Sequence, residues 1–215
     1  MSKTNSKRTL CLSDKFVNPN FFDSLKDKIG IVCVGDSITG WNPERFEFWP
    51  FLTYPSFLQE LLPDYKIVNC GIAGEFSKNG ISLVENCLKL FPNAKFFIVG
   101  FGTNDLALGL LTETSKKIIN NLKIMIDLVI KAGKIPFLIN VPYLKESVFE
   151  KKRAEIAHDK RDYHNQKLAE AFSGKVKIID ICSKLKDEHF GDSLHPNKKG
   201  AEIIAKEVFK VLNLK

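Results

Sequence analysis

From about residue 30 onward, short apolar runs rich in β-branched residues alternate with longer amphipathic stretches, and this alternation restricts the chain's fold more than any other feature. It is the pattern of a parallel sheet covered by helices on both faces. Five runs read as strands: Ile31 to Val34, Lys66 to Cys70, Lys95 to Val99, Ile135 to Asn140 and Val176 to Asp180. Between the third and fourth, Ile118, Leu122, Met125, Ile126 and Val129 recur at helical spacing within Ser115 to Lys131, and Gly133 follows as a stop signal. Pro55 to Leu62, Ile81 to Leu90, Lys152 to Phe172 and Lys198 to Leu212 read as further helices. The expected fold is α/β, a three-layer α/β/α sandwich on a five-stranded, mainly parallel sheet.

The chain's 215 residues, 44% of them hydrophobic, suffice for one sizeable core. Residues 30–215 are expected to form a single domain. Residues 1–29 read as an N-terminal extension, partly disordered at its tip, whose Phe16, Phe21, Phe22 and Leu25 pack on that domain. The net charge of +7 is scattered rather than gathered into a block. It weakly favours anionic surfaces or substrates. No zinc-finger spacing, RNA-binding aromatic motif or basic region leading into heptads accompanies it, so nucleic acid is not expected as a partner. Cys11, Cys33, Cys70, Cys87 and Cys182 are odd in number and lack a C-x-x-C pair, which reads as buried free thiols. The basic segment Met1 to Arg8 is not followed by a signal-peptide apolar run, and no stretch approaches the roughly 18 apolar residues of a membrane span. The expected location is cytoplasmic, and the oligomeric state is not readable from the sequence.

In an open parallel sheet, ligands bind outside the carboxyl ends of the strands, so polar residues directly after each apolar run carry the functional weight. Gly35-Asp36-Ser37 follows the first strand, Asn69-Cys-Gly71-Ile-Ala-Gly74 the second and Gly102-Thr-Asn104-Asp105 the third. Asp192-Ser-Leu-His195-Pro-Asn197 lies near the C-terminus. Ser37 leaves a strand through a turn that Gly35 permits, with backbone N–H groups available to an oxyanion. A serine hydroxyl needs a base, and His195 is the candidate. Asp192, three residues earlier, can reach the imidazole Nδ1 and fix the tautomer with Nε2 toward the serine. Gly74 and Asn104 offer a backbone N–H and a side-chain amide to a developing oxyanion.

These four clusters, in this order, resemble the signature blocks of the SGNH hydrolases, the GDSL-type lipases and esterases, over about residues 30 to 200. The resemblance implies a flavodoxin-like catalytic domain, a Ser37, Asp192 and His195 triad, and an oxyanion hole from Ser37, Gly74 and Asn104. It also implies hydrolysis of a small-molecule carboxylic ester, such as an acyl or acetyl ester, a lysophospholipid or an acetylated sugar, without a cofactor or metal. Ile38-Thr39 departs from the Leu of the family's four-letter name, and Glu75 places a carboxylate next to Gly74.

Taken singly, Ser37 and Asp192 are also turn or cap residues, and Asp36 and Asp105 read as scaffold, Asp105 as an Asx-turn or N-cap at the end of the third strand. Gly-Asp-Ser recurs at Gly191-Asp192-Ser193, where no strand precedes it, so Ser193 reads as a loop residue. His158, His164 and His189 sit among charged residues and read as solvated. Trp41, Phe46 and Trp49 follow the Ser37 turn closely and are candidates for a substrate pocket. Two alternatives to an esterase stand. One is a non-catalytic α/β module whose Gly35 to Gly40 segment cradles a phosphate of a nucleotide or other ligand at a helix N-terminus, although a Walker-type Lys is lacking. The other is an inactive member of the same fold, made conceivable by Glu75.

Overall fold

The computed structural model describes residues 9–11, 15, 19–40, 53–108, 111–142, 145 and 151–214. Its strands are β1 (Leu10–Cys11), β2 (Ile29–Gly35), β3 (Lys66–Gly71), β4 (Phe96–Gly100), β5 (Ile135–Ile139) and β6 (Lys177–Ile179). Its α-helices are α1 (Pro19–Leu25), α2 (Tyr54–Leu61), α3 (Ser77–Leu90), α4 (Thr103–Leu108), α5 (Leu111–Lys131), α6 (Lys151–Phe172) and α7 (Lys198–Leu212). All strand pairs are parallel, in the order β1-β3-β2-β4-β5-β6. The sheet therefore has six strands where the sequence reading expects five. Leu10–Cys11 supplies the extra one by pairing with Val68 and Asn69 at the edge of β3.

Side chains alternate across each strand, and the two faces build two cores. Val32 and Val34 of β2 join Val68, Phe97 and Val99 under α3 and α5, where Val84, Ile118, Leu122 and Met125 are buried. Ile31 and Cys33 face the other way, against Leu58 of α2 and Ile204 and Val208 of α7. Burying each such side chain contributes roughly 1.5–3 kcal/mol, which is why β-branched runs without polar alternation mark these strands. Leu10 and Phe22 also lie in the first core, so the chain before residue 30 enters the sheet and its packing.

The strand order matters for function. From β2 the chain first moves to β3 on one side, then returns past β2 to β4 on the other. The carboxyl end of β2 is thus the switch point of the sheet, where diverging loops leave a crevice. No helix among the described residues is long and apolar enough to cross a membrane.

Candidate active site

Ser37 occupies the turn that leaves β2 at the switch point and is only 5% exposed. The turn is tightly specified. The Asp36 carbonyl accepts the N–H groups of Thr39 (3.1 Å) and Gly40 (2.9 Å), and Asp36 Oδ1 accepts that of Ile38 (3.0 Å). From β3, Asn69 Nδ2 donates to the Thr39 carbonyl at 2.9 Å and to Thr53 Oγ1 at 3.1 Å, while its Oδ1 accepts the Gly71 N–H at 3.0 Å. Here the turn crosses β3 backbone to backbone. A Cβ on Gly71 would stand 2.1 Å from the Gly40 nitrogen, and one on Gly40 would stand 2.2 Å from the Gly71 carbonyl oxygen. Asn69 and Gly71 are therefore the cradle of the Ser37 turn, a role the sequence reading assigned to neither.

His195 is delivered by a closed loop just before α7. Phe190 and Pro196 form a bridge, Gly191 donates to the His195 carbonyl at 2.9 Å, and Asn197 caps α7 by accepting the Gly200 N–H at 3.1 Å. Within the loop, Asp192 Oδ1 accepts the N–H groups of Leu194 (2.8 Å) and His195 (2.6 Å). Its Oδ2 lies 2.7 Å from His195 Nδ1, and His195 Nε2 lies 3.0 Å from Ser37 Oγ. Partial burial pushes the Asp192 carboxyl up, but the imidazole and the two N–H groups outweigh it and hold the group below the usual carboxylate range. An ionised Asp192 can only accept, so Nδ1 carries the imidazole proton and Nε2 faces Ser37 Oγ as an acceptor. Ser193, in this same loop, accepts Lys145 N–H at its carbonyl.

Gly74 lies on the loop between β3 and α3 with φ of 79°. Neither its N–H nor that of Ser37 is engaged by another described backbone group. Asn104, in the first turn of α4, donates through Nδ2 to the Glu75 carbonyl at 2.9 Å, which fixes the amide's orientation beside Gly74. The Glu75 carboxylate is turned to the exposed first turn of α3, accepting from the Phe76 N–H (3.2 Å) and Asn79 Nδ2 (2.6 Å). Asp105 is not the local cap the sequence suggests. Its two oxygens take the Ser77 N–H (2.9 Å) and hydroxyl (2.7 Å), and Ser77 Oγ accepts in turn from Asn121 (2.9 Å). Phe76 at the N-cap of α3 has no side-chain acceptor, so Asp105 caps α3 from across the crevice. The loops carrying Gly74 and Asn104 are thereby tied together.

Trp41, Phe46 and Trp49 lie outside the described residues. Ile72 and Phe76, 41% and 36% exposed, flank Gly74 with apolar surface that the sequence reading did not single out. His164 and His189 are buried, not solvated. His164 Nδ1 meets Ser115 Oγ at 3.0 Å and burial lowers its pKa to about 4, while His189 Nδ1 accepts the Lys186 N–H at 3.0 Å. Among the described residues no His, Cys, Asp and Glu cluster could hold a metal ion.

A family model of GDSL-like lipases and acylhydrolases matches residues 33–203, most of the chain. The chain belongs to that family. Within it, this GDSL-family hydrolase resembles a lipolytic G-D-S-L protein from Veillonella parvula, at 21% identity over 86% of this chain and 100% of the other, with a TM-score of 0.69. A carbohydrate acetylesterase family member from Sinorhizobium meliloti is similar at 16% identity, 86% and 100% coverage and a TM-score of 0.63. The esterase EstA from Pseudoalteromonas, solved inhibited by monoethylphosphonate, is similar at 18% identity, 85% and 96% coverage and a TM-score of 0.62. At these identities the likeness is one of fold. No curated protein matches the sequence.

Proposed function

We propose that this GDSL-family member hydrolyses carboxylic esters through an acyl-enzyme on Ser37. The observation that carries the reading is the continuous chain of contacts from Asp192 Oδ2 through the His195 ring to Ser37 Oγ, at 2.7 and 3.0 Å. His195 takes the Ser37 proton as Oγ attacks the ester carbonyl, and Asp192 stabilises the imidazolium that forms. The N–H groups of Ser37 and Gly74 and the Asn104 amide receive the tetrahedral oxyanion. Each such donor is worth about 3 kcal/mol in the transition state, and the general base about 10²- to 10⁴-fold. The alcohol leaves with the proton from His195, and water repeats the sequence to release the acid. Ile72 and Phe76 offer apolar contact to the part of the ester next to the oxyanion, with Trp41, Phe46 and Trp49 as further pocket candidates.

A fluorophosphonate probe tests this reading, and the phosphonate-inhibited relative supports the choice of reagent. Attachment at Ser37, lost in His195→Ala, is the expected result. Folded protein that takes up no label overturns it. A panel of p-nitrophenyl esters of increasing acyl length then ranks acetyl against longer acyl groups.

A further inference from the structure

Asp36 stands next to Ser37, yet its carboxyl points into the protein and is 1% exposed. Oδ1 braces the Ser37 turn through the Ile38 N–H at 3.0 Å. Oδ2 is buried and has no hydrogen-bond partner among the described residues. A buried carboxyl oxygen left bare costs several kcal/mol, so natural proteins satisfy such groups with side chains or fixed water. Beside Asp36 lies a cavity of about 10 Å³, lined by Thr39, Thr103, Asn140, Ile139 and Ile181 among others. That volume is about the least that holds one water molecule, and Asp36, Thr39, Thr103 and Asn140 bring polar groups to its lining, where a buried water requires two to four partners.

We propose that this cavity is a single-water site, and that Asp36 with its water is a positioning unit joining the Ser37 turn to Thr103, the residue that precedes Asn104. The proposal rests on the reading of Ser37 as nucleophile for its catalytic consequence, but not for the water site itself. The unit sets the distance between the attacking hydroxyl and one oxyanion donor. Burial pushes the Asp36 carboxyl up to about 7, against the pull of the Ile38 N–H and of the Thr103 hydroxyl and N–H, which stand near the carboxyl but leave Oδ2 without a closed hydrogen bond, and Asp105 across the crevice pushes the same way. Tyr54, from α2, also feels the Asp36 charge.

Three readouts test the unit. A high-resolution crystal structure should show one ordered water within hydrogen-bond distance of Asp36 Oδ2 and the Thr103 hydroxyl; an empty cavity overturns the proposal. Carboxyl carbon NMR of protein labelled at Asp should show one group titrating near 7 that is absent in Asp36→Asn. Asp36→Asn and Thr103→Val should each lower kcat about tenfold with KM unchanged, since a shift well under 1 Å is expected. Their double variant should be no slower than the worse single one, because both break the same bridge. Losses that multiply, or a change confined to KM, overturn it, and Thr103→Val keeps the test open if Asp36→Asn does not fold. If Ser37 proves not to be labelled by fluorophosphonate, the esterase reading fails, while the water and the titration still judge this site.

Discussion

Replacing Gly71 with Ala tests whether the Ser37 turn is held by the backbone crossing on β3. The new Cβ would meet the Gly40 nitrogen at 2.1 Å, Gly40 Cα at 2.6 Å and the Thr39 carbonyl carbon at 2.7 Å, all backbone atoms that no rotamer change can move. Ordinary contact begins near 3.4 Å. The turn must therefore retreat by roughly 1 Å, and a displacement of that size at a reacting group costs about 100-fold in rate. Overpacking of this kind costs about 1–3 kcal/mol, or a fall in Tm of roughly 2–12 °C for a chain of this size. Gly133→Ala is the control. Its φ is 72° with nothing within 4 Å of an added Cβ, so it takes only the left-handed strain of about 1–2 kcal/mol, far from the crevice. Both variants should lose a similar amount of Tm in thermal melts, but only Gly71→Ala should lose kcat on a p-nitrophenyl ester and slow its fluorophosphonate labelling. A Gly71→Ala protein that melts a few degrees lower yet keeps kcat within threefold of the parent would refute the crossing as the device that positions Ser37.

Asp192→Asn should keep acceptance of the Leu194 and His195 N–H groups but present an amide donor to His195 Nδ1, favouring the wrong tautomer; kcat should fall at least 100-fold with little change in Tm, as steady-state kinetics and melting will show. Asn104→Ala removes one of the proposed oxyanion donors and should cost about 10²–10³ in kcat with KM nearly constant. Asp105→Ala removes the cap of α3 and should cost about 1 kcal/mol in denaturant melts, together with a kcat loss from loosening the Gly74 and Asn104 loops. His164 is neutral in the fold with a pKa near 4 against 6.5 for an ordinary imidazole, so the unfolded chain binds more protons between those values and stability falls as pH drops from 6.5 toward 4. His164→Gln should flatten that part of the Tm profile.

The strands were legible because burial on both faces leaves uninterrupted apolar runs, and the helices because one face of each is apolar; their observed ends differ from the expected ones by a few residues. Leu10–Cys11 was not legible, since a two-residue strand is too short to show a period. Its place is set by pairing with β3. Nor was α4, six residues immediately after a strand, too short to show a helical stripe. The sequence suggests Gly35 for torsional freedom, whereas the structure requires it for room, with an added Cβ 2.2 Å from Thr39 Oγ1. The burial of His164 is hidden in the sequence because its neighbours on α6 are charged. What buries it comes from elsewhere, Ser115 on α5 and the Gly102 turn, and no local pattern encodes such partners. The same holds for Asp105, whose partner lies 28 residues away.

The crevice holds four aspartates near the carboxyl ends of the strands or the loop before α7, and their environments decide which one can serve His195. Asp36 is adjacent to Ser37 in sequence, but it is buried, resists ionisation until about pH 7 and spends Oδ1 on Ile38. Asp105 commits both oxygens to Ser77. Asp180 commits its own to Ser183 and Asn140, which together overcome its partial burial and lower its pKa. Asp192 alone combines a depressed pKa with an oxygen on the imidazole. Carboxyl groups that share one site take different roles because burial and hydrogen bonding push their ionisation apart. Proximity to Ser37 in sequence is thus a poor guide to the carboxylate that meets His195. It follows that Asp36→Asn and Asp192→Asn, both single-atom exchanges, should differ in kind: the first removes a titration near 7 and about tenfold in kcat, the second removes the charge behind His195 and at least 100-fold. Equal losses in kcat from the two exchanges would show that the environments do not divide the labour in this way.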